Sequence, residues 1–156
     1  MGQWPLIASY PARIRSRNMF EYLVFEEHVG IAYHREVRIE VDGSCLRYRI
    51  DGYGPEMPDS EKGSGVYTGS TEAFLGRLDE FFVPDWKVEY FQDCLDGYNW
   101  SLRYKEVGKP CRKISGFNDG PDCYEDFTEL LFSISKEGIM PKREGKKKEI
   151  IPACAG

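Results

Sequence analysis

Histidine is nearly absent from this chain: His28 and His34 are the only two among 156 residues. The five cysteines are odd in number, and none sits in a C-x-x-C pair. A structural zinc site needs four closely set soft ligands, usually supplied as paired short spacings, so neither a metal nor a cofactor is expected. No stretch approaches the roughly 18 apolar residues that a membrane-crossing helix requires. The opening segment, MGQWPLIASYPARIRSRN, has no apolar run behind a basic start and does not read as a secretory signal. Reduced thiols and a cytoplasmic location are the expectations that follow.

Positive charge is in deficit too. Lys and Arg number 21 against 26 Asp and Glu, a formal charge of -5. That balance argues against a general nucleic-acid binder, leaves room for local basic patches, and equally suits an acidic face offered to a basic partner. A catalytic set is also missing. No cysteine has a histidine beside it in sequence to act as its base and mark it as a nucleophile. The sole acid/base cluster on offer is His28 and His34 with Glu26 and Glu27, and polar side chains at a strand end before Gly30 are ordinary.

What is present is core material. Hydrophobic residues make up 41% and aromatics 14%, enough for one folded domain of this length. The expected division is an extended basic arm over 1–18, an α+β domain over 19–138 and a basic tail over 139–156. The arm carries Arg13, Arg15 and Arg17; the tail carries Lys142, Arg143, Lys146, Lys147 and Lys148.

Strand rhythm begins at Phe20, where Phe20, Tyr22 and Val24 alternate with Glu21 and Leu23. Val29-Gly30 offers a turn, and Val37, Ile39 and Val41 then share a face. Asp42-Gly43 reads as the two central residues of a type I′ hairpin turn. Leu46, Tyr48 and Ile50 return on the apolar face, with Arg47 and Arg49 opposite and within reach of Arg38 and Glu40. Residues 51–69 read as a long Gly/Pro-rich loop. Lys62-Gly63-Ser64-Gly65 is not a phosphate loop, because the lysine precedes the glycines and no helix follows directly.

Ser70 caps a helix whose stripe is Phe74, Leu75, Leu78, Phe81 and Phe82, ended by Pro84. Trp86, Val88 and Tyr90 form a half-buried strand. Tyr98, Trp100, Leu102 and Tyr104 form another, and 111–115 a third. Asp122 and Glu125 suggest a capping box opening a helix with Tyr124, Phe127, Leu130, Leu131 and Ile134 on its stripe, stopped near Gly138. The expected fold is therefore α+β. It has an antiparallel sheet of about six strands (meander, helix, meander, helix) with two amphipathic helices on one face.

Within residues 86–132, the run Asp96-Gly97-Tyr98-Asn99-Trp100-Ser101-Leu102, then Ser115-Gly116-Phe117-Asn118 and Pro121, resembles a pattern in small, mostly uncharacterised bacterial proteins. That pattern is a D-G-x-x-W-x-L strand, an S-G-x-N turn and a helix opened near a proline. Such proteins are found in Firmicutes genomes and mobile elements. The resemblance implies an α+β fold and brings no catalytic residue with it.

These features fit first a non-enzymatic protein-interaction module, of the inhibitor or immunity kind in bacterial or phage defence. Its partner-binding residues would be Arg35, Arg38, Arg47, Arg49, Tyr53, Glu56, Lys62 and Tyr67. A nucleic-acid-associated protein, using the basic arm, the Arg-bearing hairpin and Lys146–Lys148, is the alternative. A small enzyme built on His28 and His34 is the third reading.

Overall fold

The computed structural model describes residues 20–57, 62–93 and 97–136. The basic arm, the Lys-rich tail, the stop at Gly138 and Asp96 of the Asp96-Gly97 turn lie outside the described residues. The chain order is β1 (Phe20–Val29), β2 (Tyr33–Asp42), β3 (Cys45–Tyr53), β4 (Gly63–Val66) and α1 (Thr71–Asp79). It continues with a 3-10 turn at Val83–Asp85, β5 (Glu89–Phe91), β6 (Tyr98–Glu106), β7 (Arg112–Phe117), α2 (Tyr124–Phe132) and a second 3-10 turn at Ser133–Ser135.

The expected α+β architecture is present, but the sheet differs from two separate meanders. The strands form one seven-stranded sheet in the order β4-β3-β2-β1-β6-β7-β5. β6 pairs antiparallel with β1, which places β1 at the centre, and β5 pairs parallel with β7 at the edge. The reason is burial. β6 carries Trp100, Leu102 and Tyr104 on one face, all buried, and fits beside Leu23 and Phe25 of β1. The three-residue β5 contributes one buried ring, Tyr90, and is left to the edge.

Register follows the apolar pattern over the turn residues. Val41, Ile39 and Val37 face Leu46, Tyr48 and Ile50. Asp42 opposes Cys45, so the hairpin turn is centred on Gly43-Ser44 and not on Asp42-Gly43. Gly43 has φ +67 and Ser44 is not in the left-handed region, the II′ pattern with glycine first. A register irregularity between Phe20 and Tyr22 lets Phe20 and Leu23 share the core side, while Tyr22 and Val24 turn the other way.

Both helices cover the same side of the sheet. Ser70 caps α1 as expected, its Oγ accepting from the Ala73 N–H at 3.1 Å. Phe74, Leu75, Leu78 and Phe81 are buried, but Phe82 takes φ +52 and points outward, 51% exposed. Val88 is likewise exposed, because the segment after Trp86 becomes a strand only at Glu89. α2 starts from Cys123 without a side-chain cap, so the Asp122–Glu125 capping box does not form. Phe25, fully buried, meets Trp100, Tyr124, Phe127 and Phe132 at centroid distances of 6.2, 6.0, 6.1 and 6.1 Å. Each such aromatic pair adds about 0.5–1.5 kcal/mol beyond simple burial.

The S-G-x-N turn has a physical basis here. A Cβ on Gly116 would stand 2.1 Å from Nε1 of Trp100 and 2.4 Å from the Asp119 carbonyl oxygen. That indole donates to the same carbonyl at 2.8 Å. Asn118 adopts φ +56, and its Oδ1 accepts from the Tyr98 N–H at 3.2 Å. Tryptophan, glycine and asparagine thus lock strand, turn and helix start together.

Candidate functional site

Two helices on one side leave the other face of the sheet uncovered by any described element. Strand alternation assigns that face Tyr22, Val24, Glu26 and His28 from β1, and His34, Glu36, Arg38 and Glu40 from β2. β3 adds Arg47, Arg49, Asp51 and Tyr53, and β6 adds Asn99, Ser101, Arg103 and Lys105. Lys113, Ser115 and Phe117 of β7 join Glu89 and Phe91 of β5.

The registers sort these side chains into rows running across the strands. One row is Phe91, Phe117, Asn99, His28, His34, Tyr53. Rings stack at both of its ends: Phe91 on Phe117 at 5.6 Å and 16°, and His34 on Tyr53 at 5.0 Å and 15°. The next row is acidic, with Glu89, Ser115, Ser101, Glu26, Glu36 and Asp51. Beyond it lies a basic row of Lys113, Arg103, Val24, Arg38 and Arg49.

Like charges therefore stand directly opposite one another: Glu26 and Glu36, Glu36 and Asp51, Arg38 and Arg49, Arg103 and Lys113. Such pairs are destabilising where opposite pairs would contribute about 0.2–1 kcal/mol. Relief comes along the strands and diagonally, with Arg38–Glu40 and Arg49–Asp51 both at 3.5 Å and Arg47 paired with Asp42. These ion pairs are largely exposed and individually weak. Val24, only 2% exposed on this face, stands between its cross-strand neighbours Arg38 and Arg103. Beside it lies a depression of about 260 Å³ lined by Glu26, Ser101, Arg103, Lys113 and Ser115.

Of the eight residues that the sequence offers for partner binding, Arg38, Arg47, Arg49 and Tyr53 share this face. Arg35 does not. Its Nε donates to Glu27 Oε1 at 2.8 Å on the helix side, and its guanidinium lies 3.9 Å from the centre of the Phe132 ring. Tyr67 is buried against Phe74 and belongs to the core. Glu56 and Lys62 sit in the segments between β3 and β4. Glu40 stands opposite Arg47 across the hairpin, whereas Arg38 stands opposite Arg49 and pairs with Glu40 on its own strand.

The acid/base cluster divides across the sheet. Glu27 is 4% exposed beneath α2, where its carboxylate accepts from Tyr124 at 2.5 Å, Tyr33 at 3.1 Å and Arg35. Burial and then the Glu27 charge push the Tyr124 hydroxyl well above the usual phenol range, and Tyr33 moves the same way for the same reasons. Burial raises Tyr98 to about 12. Glu27 is thus a satisfied anchor between β1, β2 and α2. His28 and His34 lie on the opposite face from it, their Nδ1 atoms 3.2 Å apart.

A larger cleft of about 440 Å³ opens near the β6–β7 turn. Among its charged groups, Lys109 pairs with Glu106 at 3.3 Å, and Arg112 donates to the Trp86 carbonyl. No helix among the described residues is long and apolar enough to cross a membrane. No protein-family model, curated protein or solved structure matches this chain.

Proposed function

We propose that this protein is a non-enzymatic interaction module that docks another protein on the uncovered face of its sheet. The observation that carries the reading is the like charges in register on neighbouring strands, acidic across β1, β2 and β3 and basic across β2–β3 and β6–β7. A sheet face selected only for stability places opposite charges across from each other. Rows of one sign are costly to the isolated fold and useful to a partner with complementary rows, since complementary potential steers encounter and sets orientation. Departures from local rules concentrate at functional sites. The stacked pairs Phe91–Phe117 and His34–Tyr53 flank the face with exposed apolar and aromatic surface of the kind that anchors interfaces.

An inhibitor or immunity-type role fits this reading, because occupying a partner's surface is then the whole activity. The resemblance of residues 86–132 to small bacterial proteins is carried as part of the same proposal. The nucleic-acid reading ranks second. A phosphate backbone laid on Arg103, Arg38 and Arg49 would run beside Glu26, Glu36 and Asp51.

The test is site-specific photocrosslinking in a bacterial lysate, with the crosslinker at Ser115 on the uncovered face and at Glu125 on the outer side of α2. A discrete protein adduct from Ser115, absent from Glu125 and lost on Arg38→Glu, supports the reading. Adducts from Glu125 alone contradict it, and salt-sensitive retention of the protein on DNA would promote the second reading instead.

A further inference from the structure

The two histidines of the chain are six residues apart in sequence and directly opposite in register on β1 and β2. Their rings meet edge to face, with centroids 5.1 Å apart at 69°, and their Nδ1 atoms face each other. The Nδ1 atoms lie 3.2 Å apart. Imidazole nitrogens bind zinc at about 2.0–2.1 Å, so two of them on one ion stand about 2.9 Å apart at a right angle and about 3.4 Å apart at a tetrahedral angle. The observed spacing falls between those limits.

Three surrounding features favour a cation at that point. Tyr53 stacks on His34 and fixes the plane of its ring. A recess of about 90 Å³ opens beside the pair, lined by Glu26, Asn99 and Ser101, with room for an ion and its waters. The acidic row of Glu26, Glu36 and Asp51 runs next to the histidines and lowers the potential where a cation would sit.

We infer that His28 and His34 form a two-histidine site for a divalent transition-metal ion of the zinc, nickel or copper class. Among the described residues no three His, Cys, Asp or Glu side chains converge as a ready-made ligand set, so the pair supplies two ligands and water completes the shell. Imidazole suits these ions, and each ring must bind through a lone pair. Without metal, one ring donates its Nδ1 proton to the other. On binding, that proton moves to Nε2 of the same ring, so that both Nδ1 lone pairs turn to the ion. The ion would clamp β1 to β2 beside the β1–β2 turn. This inference is independent of the protein-docking reading.

Calorimetric titration of the full chain with zinc chloride under reducing conditions, followed in parallel by the imidazole proton signals, tests it. The expected result is saturable binding of one ion per chain that shifts both histidines' signals together and raises the melting temperature. His28→Ala and His34→Ala should each lose that binding and that shift. Their metal-free melting curves report folding separately, and His34→Gln serves if the alanine variant is unstable. Binding undiminished in the histidine variants would place the ion on carboxylates or thiols and overturn the inference. Absence of saturable binding to the parent chain would overturn it as well.

Discussion

The Tyr124 hydroxyl donates to Oε2 of Glu27 at 2.5 Å, joining the first turn of α2 to the central strand across 97 positions of sequence. With Tyr33 and Arg35 on the other carboxylate oxygen, it completes the shell of a charge that is 4% exposed. Hydrogen bonds to charged groups contribute about 1.5–3 kcal/mol each. Tyr124→Phe is expected to lower unfolding free energy by about that amount. Glu27→Ala, which leaves Arg35 without its carboxylate, is expected to cost about 3–5 kcal/mol. Urea unfolding followed by tryptophan fluorescence measures both.

The same tyrosines give an alkaline limit. An unfolded tyrosine titrates near about 10, whereas burial holds Tyr98 at about 12 and Tyr124 higher still in the folded chain. A raised folded pKa means that the folded state keeps a proton which the unfolded state has lost. Stability is therefore fully present below about pH 10 and falls as pH rises from there toward about 12. Urea midpoints across that range should decline, and Tyr98→Phe should decline less steeply.

Gly116 and Gly76 make a matched test of packing. Alanine at Gly116 drives a methyl into the Trp100 indole, and overpacking of that kind costs about 1–3 kcal/mol. Alanine at Gly76 meets nothing within 4 Å in α1 and should stabilise by about 0.5–1 kcal/mol. Opposite shifts in urea midpoint are the expected outcome.

Much of the fold was legible because it is local. Period-two alternation marked the faces of β2 and β3, and Ser70 with the Phe74–Phe81 stripe marked α1. The pairing of β6 with β1 was not legible, because it rests on long-range burial that no turn residue signals. The same holds for Glu27, whose partner Tyr124 comes from the far half of the chain. Turn chemistry misled by one residue at Gly43, where the apolar pattern overrode the Asp-Gly preference. The charge rows depend on register across several strands, so Arg38, Arg47 and Arg49 could be named while their relation to Glu26 and Glu36 could not. The two histidines could be named together, but their direct opposition rests on the β1–β2 register, which brings 28 opposite 34.

On the docking reading, the uncovered face holds like charges in register at the expense of the isolated fold. Glu36 lies directly between Glu26 and Asp51, so Glu36→Lys turns two unfavourable pairs into favourable ones. Its urea midpoint should rise, by a stabilisation of about 0.4–2 kcal/mol at low salt that shrinks as salt is added. A midpoint that falls would contradict it, because the acidic row would then already be serving the fold and not a partner.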